Sequence, residues 1–162
     1  MMKKFTMLCL ANSRKHGGRC LAGLLTNGGG WIRPISANPG GALNEKDYRL
    51  PNGAEPRVLD VIEIGCTCPK PAPHQPENWL IDNSQWAPID QPSPMILASV
   101  LQAAIWKDAD LLRGLTDRIP YSALEQNPIK ASLALVAPRE VRLRRNYTLR
   151  WTPFLGPQNE VL

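Results

Sequence analysis

The polar and apolar positions of the chain alternate over short stretches separated by glycine and proline. This is the signature of short strands rather than of long helices. Residues 4–11 and 20–25 read as two strands, and the Thr26-Asn27-Gly28-Gly29-Gly30 run between the second and a third strand at 31–36 is a turn signal, because these residues accept positive φ cheaply. Pro34 removes a ladder donor, so the third strand is expected at an edge or a bulge. Residues 37–57 read as a polar loop. Across 58–68 the period is two: Ile62, Ile64, Cys66 and Cys68 share one face, and Val61, Glu63, Gly65 and Thr67 the other. A proline-rich loop at 69–78 precedes a short strand at 79–82.

One segment changes period. Ser93 is a good N-cap and Pro94 a good first helical residue, and Leu97, Val100, Leu101, Ala104 and Ile105 then fall on one helical stripe. The helix ends near Trp106 or runs on towards Gly114. A second short helix is expected within 121–130, and an apolar strand at 132–136. Residues 141–151 alternate again, with Val141, Leu143, Tyr147, Leu149 and Trp151 on one side and Arg142, Arg144, Asn146, Thr148, Arg150 and Thr152 on the other. The fold class is therefore mainly β with one or two short helices.

Length suits either one compact unit over 1–162 or two parts, a first barrel over 1–90 and a helix with the remaining strands over 91–162. Sixteen prolines, about twice average usage, reinforce the reading of strands joined by stiff loops. Cys9, Cys20, Cys66 and Cys68 lack the spacing of a disulfide framework, and free thiols imply a reducing, cytoplasmic setting. The apolar stretch after Lys3 and Lys4 is short and runs into a basic segment without a small-x-small site, which argues against export. No apolar run approaches the ~18 residues of a membrane span.

Charge sharpens the picture. The net charge is +5, partitioned as +6 over 1–44, −4 over 45–138 and +3 over 139–162. If the two basic ends meet, they form one positive face on an acidic body. Two basic features stand out. Arg142, Arg144 and Arg150 would line one side of a closing strand, where guanidiniums pair with phosphates and stack on bases. The segment Ser13-Arg14-Lys15-His16-Gly17-Gly18-Arg19 offers Arg14, Lys15 and Arg19 beside glycine amides, although it lacks the spacing of a Walker loop. Trp31 and Arg33 on the next hairpin would add a stacking ring and a phosphate contact. The bland alternatives are a buried Trp31 and an edge strand made basic against aggregation.

Metal and catalytic chemistry are less well supported. Cys66, Cys68 and His74 are close in sequence, with Cys20 as a fourth ligand, but two cysteines on one strand face make poor zinc geometry, so neither metal nor cofactor is expected. His74, Glu77 and Cys20 would serve a small hydrolase or nucleotide-processing enzyme as acid–base pair and nucleophile, without a recognisable motif around them.

Three segments together resemble the dual OB-fold-containing domain of prokaryotes: 13–23, beginning at Ser13 and Arg14; 30–36, Gly30-Trp31-Ile32-Arg33-Pro34-Ile35-Ser36; and 74–79, His74-Gln75-Pro76-Glu77-Asn78-Trp79. The resemblance implies OB-like β-barrels, one or two fused, and a nucleic-acid role tied to prokaryotic conflict, defence or repair systems. The expected function is a non-catalytic module that holds single-stranded or distorted DNA or RNA through Arg14, Lys15, Arg19, Trp31, Arg33, Arg142, Arg144 and Arg150. His74, Gln75, Glu77 and Asn78 would form either a specific pocket or the junction between barrels. The alternatives are the enzyme above and an adaptor docking an acidic protein partner.

Overall fold

A computed structural model describes residues 2–15, 17–89, 93–107, 119–138, 142–145, 151–155 and 159–160, the last three stretches by their strand pairing alone. β1 (Lys3–Lys15) and β2 (Gly18–Leu25) form a long antiparallel hairpin. The stretch left between the two expected strands is itself strand at 12–15 and 18–19, with Asn12 to Lys15 paired to Leu21 to Gly18. Gly17 sits there at φ +80°, a conformation that glycine adopts without steric cost. The 26–30 turn forms as expected, with the Leu25 amide donating to Gly30 O at 2.9 Å.

β3 (Trp31–Ile35) pairs with β2 through Trp31 and Ile32 only. From Arg33 onward it turns to β5 (Asn78–Ile81) in a parallel ladder. Pro34 therefore lies inside the wall, not on an edge strand. It is tolerated because β3 has left β2 by that residue and needs a ladder on one side only. β4 (Val61–Pro69) pairs with β1 along one edge and with β5 and the short β6 (Ala87–Ile89) end to end along the other. The ring β1-β2-β3-β5-β4 closes back on β1, giving a closed five-stranded barrel in OB order. The bulge between Cys9 and Ala11 bends β1 so that one strand serves both neighbours.

The interior follows the predicted period up to a second bulge. Ile62, Ile64 and Cys66 are fully buried with Met7, Cys9, Leu21 and Ile32. Cys68 was expected on the same face but is exposed, because the register shift between Cys66 and Cys68 turns it outward. The 37–57 stretch is not all loop. It holds a 3-10 turn at Pro39–Gly41 and α1 (Glu45–Tyr48), which feeds Leu43, Tyr48 and Leu50 into the core. Trp86 fills the same core at 1% exposure.

α2 (Pro94–Ala104) starts at the predicted cap and proline, and its predicted stripe, Leu97, Val100, Leu101 and Ala104, is the half-buried side. Leu97 and Val100 share a crevice of about 310 Å³ with Leu8, Val61 and Ile89, on the outside of the barrel. α3 (Tyr121–Gln126) is the second expected helix. The strand expected at 132–136 is a single bridge, Leu135 to Ile105. The closing alternation is not one strand: β7 (Arg142–Arg145) and β8 (Trp151–Leu155) pair as a hairpin, Arg145 opposite Trp151, and β9 (Asn159–Glu160) joins β8. Among the described residues no helix is long and apolar enough to cross a membrane.

Candidate nucleic-acid interface

The β1–β2 hairpin carries the first basic group to the rim of the barrel. Arg14 and Arg19 stand directly opposite each other, an unfavourable pairing of like charges. Arg19 is relieved by Glu55, whose Oε2 lies 2.6 Å from its Nη2, while Tyr48 donates to the other oxygen of Glu55 at 3.5 Å. Arg14 is exposed and Lys15 half-buried, and neither forms an ion pair among the described residues. Backbone bonds in both directions between Arg19 and Leu43, 2.9 Å each, brace the hairpin close to its tip. Gly18 has no room for a side chain there, since a Cβ would meet Leu43 O.

Arg33 has a different environment. Alternation on β3 sends Trp31, Arg33 and Ile35 outward while Ile32 enters the core. Yet Arg33 is buried, and its Nε and Nη2 donate to Glu77 Oε1 at 3.1 and 2.9 Å. Nη2 also donates to Ser132 Oγ at 2.9 Å, and Nη1 lies 3.9 Å from Cys20 Sγ. Ser132 in turn donates to Glu77 through its hydroxyl and through its amide, the latter at 3.3 Å. Its donors are thus committed to a buried carboxylate and to the Ser132 hydroxyl. Trp31 is half-buried.

The 70–77 loop between β4 and β5 folds onto the second half of the chain. His74 meets the Tyr121 ring edge-on at 5.5 Å, the Ile129 amide donates to Pro73 O at 3.3 Å, and Asn78 donates to Gln75 at 3.3 Å. His74 and Glu77 thus contact residues of the second half of the chain, Tyr121 and Ser132, while Gln75 and Asn78 bond each other. His74 Nδ1 and Asn78 Oδ1 are buried with no hydrogen-bond partner among the described residues.

The cysteines are dispersed. Burial pushes the Cys9 thiol up to about 11 and the Cys66 thiol up to about 12, with Asp82 adding to the rise at Cys66. Among the described residues, no three His, Cys, Asp or Glu side chains gather as metal ligands would. Of the proposed catalytic set, Cys20 and Glu77 flank Arg33, and His74 rests on Tyr121.

Arg142 and Arg144 lie on β7; Arg150 and His16 lie outside the described residues. Sequence reading missed Ser132, Tyr121 and Glu55, which nothing in their own neighbourhoods marks. It also passed over Lys70, an exposed cation at the start of the β4–β5 loop.

A closed five-stranded barrel with a parallel β3–β5 pair, followed by a second small sheet, agrees with the match of a family model described as dual OB-containing domain over residues 5–152. The chain belongs to the dual OB-containing domain family. No curated protein and no solved structure matches it. The match runs through β7 into β8, so the family assignment covers both the complete barrel and the strands after α3. OB barrels bind oligonucleotides across the faces of their second and third strands and the β1–β2 and β4–β5 loops. In this dual OB-containing domain, those are the surfaces that carry Arg14, Lys15, Trp31 and Lys70.

Proposed function

We propose that this dual OB-containing domain is a non-catalytic module that holds single-stranded or locally distorted nucleic acid. The observation that carries the reading is the exposed Arg14, without an ion pair among the described residues, with Lys15 at the tip of the β1–β2 hairpin, on a barrel whose architecture presents that loop to oligonucleotides. Lysine and arginine supply phosphate contacts without base preference, and Trp31, half-buried on β3 where it pairs with Leu24 further along the same hairpin, supplies a ring for stacking. Arg19 assists from directly opposite Arg14 while sharing its charge with Glu55. Arg142, Arg144 and Arg150 extend the basic track if the closing hairpin adjoins the barrel. Binding in a cytoplasmic defence or repair setting, with other proteins as partners, fits this reading.

The test is binding of short labelled single-stranded DNA and RNA, compared with duplex, at low salt. Preference for single strands, lost on changing Arg14 and Lys15 to Ala in a protein of unchanged melting temperature, supports the proposal. Equal binding by wild type and the double variant removes the hairpin from the site. No binding to any oligonucleotide returns the question to an adaptor that docks an acidic protein, or to an enzyme using His74, Glu77 and Cys20.

A further inference from the structure

The face of the barrel that alternation turns outward from β2 and β3 is covered. Leu21 and Ile32 enter the core, so Ala22 and Leu24 on β2 and Trp31 and Arg33 on β3 point away from it. Nevertheless Ala22 is 2%, Leu24 4% and Arg33 9% exposed. Residues 129–135 reach this face at Arg33 and are anchored on either side of it to the β4–β5 loop and to the end of α2. Ser132 sits on the Arg33–Glu77 pair, Ile129 is bonded to Pro73, and Leu135 bridges Ile105 and accepts a 2.7 Å bond from the Trp106 amide. The strap is thus held at three points, and the central one is a polar contact on a buried ion pair.

An OB barrel offers this same face to an oligonucleotide, so strap and ligand exclude each other there. We infer that residues 129–135 form an autoinhibitory strap, latched by Ser132 onto Arg33 and Glu77, and that single-stranded nucleic acid must displace it to reach Trp31 and Arg33. The inference rests on the nucleic-acid reading above. It accounts for an arginine on the outward side of β3, two residues from a tryptophan on the same side, held beneath a segment of the chain itself. The latch is also separable from the barrel. Arg33 and Glu77 satisfy each other without Ser132, so releasing the strap leaves no unpaired buried charge.

Ser132→Ala removes the hydroxyl that bonds both members of the pair and leaves the barrel wall intact. Loss of a hydrogen bond to a charged group shifts the closed-to-open balance, and the share of protein competent to bind sets the apparent affinity, so binding should tighten by about tenfold. The probe is a short fluorescein-labelled oligothymidylate or oligouridylate in an anisotropy titration, with melting temperature in parallel. Hydrogen exchange at the Ile129 and Ser132 amides gives a second readout, one that a merely structural strap would not move. Tighter binding by Ser132→Ala, with loss of amide protection in the wild type as ligand is added, supports the strap. Binding by the variant alone supports it too. Equal or weaker binding by Ser132→Ala, with both amides still protected in the complex, overturns the strap and leaves the nucleic-acid reading standing. No binding by either protein overturns that reading and the strap with it.

Discussion

Removing the carboxylate of Glu77 should damage this protein more than any change on its basic surface. Its side chain is 5% exposed and that of Arg33 11%, so neither charge is appreciably shared with water. Glu77→Ala strands the guanidinium of Arg33 in the wall between β3 and β5 and deletes the acceptor of both Ser132 donors. Breaking a buried pair from one side costs about 3–5 kcal/mol. For a chain of this size each kcal/mol shifts the melting temperature by about 2–4 °C, so the variant should melt roughly 6–20 °C below wild type. The reasoning makes a sharper claim about the double variant. With Arg33→Met and Glu77→Leu together, no charge is buried unpaired, and stability should return to within about 1 kcal/mol of wild type. Thermal melts followed by circular dichroism, on Arg33→Met, Glu77→Leu and the double alongside Glu77→Ala, complete the cycle. A Glu77→Ala protein that melts with the wild type, or a double variant as unstable as the sum of the singles, would refute this account of the pair.

Three smaller outcomes follow from the same geometry. At pH 8 a thiol reagent should label Cys20 and Cys68 in the folded protein and all four cysteines in denaturant; Cys66, raised to about 12 by burial, is thiolate in on the order of one molecule in ten thousand at that pH, four pH units below. Gly18→Ala should lower the melting temperature by forcing the β1–β2 hairpin away from Leu43, because the backbone oxygen it meets cannot rotate aside as a side chain would. Tyr48→Ala should cost about 3–5 kcal/mol, as other buried aromatics do, whereas Tyr48→Phe, losing one long bond to Glu55, should cost under about 1 kcal/mol; denaturant melts separate the two.

What the sequence disclosed and what it withheld divide along local and non-local physics. The glycine turn at 28–30, the period-two face of Ile62, Ile64 and Cys66, and the Ser93-Pro94 start of α2 are encoded within a few residues, and each formed as its pattern required. The departures come from pairing across distance. Pro34 suggested an edge strand, because nothing near it reveals that β3 exchanges β2 for β5 at that residue. Cys68 was assigned inward because a bulge leaves no mark on an alternating pattern. Arg33 read as a phosphate contact from its basic neighbourhood; its partners, Glu77 and Ser132, are 44 and 99 residues further along the chain. The 74–78 peptide was seen as either pocket or junction; its partners across the chain, Tyr121 for His74 and Ser132 for Glu77, lie 47 and 55 residues away and left no mark near it.

The central claim, that the basic residues of this barrel hold a nucleic-acid backbone, is tested most directly by the salt dependence of binding. Engagement of about four to six phosphates of a single strand predicts a log–log slope of roughly −3 to −4, at about 0.7 per phosphate. Changing Arg14 and Lys15 to Ala should make the slope shallower by about 1.4, and changing Arg142, Arg144 and Arg150 by up to about 2, with affinity falling alike for every sequence tested. The measurement is an anisotropy titration of one labelled single strand across a series of salt concentrations. A slope near zero, or a slope unchanged in both variants, would contradict the account.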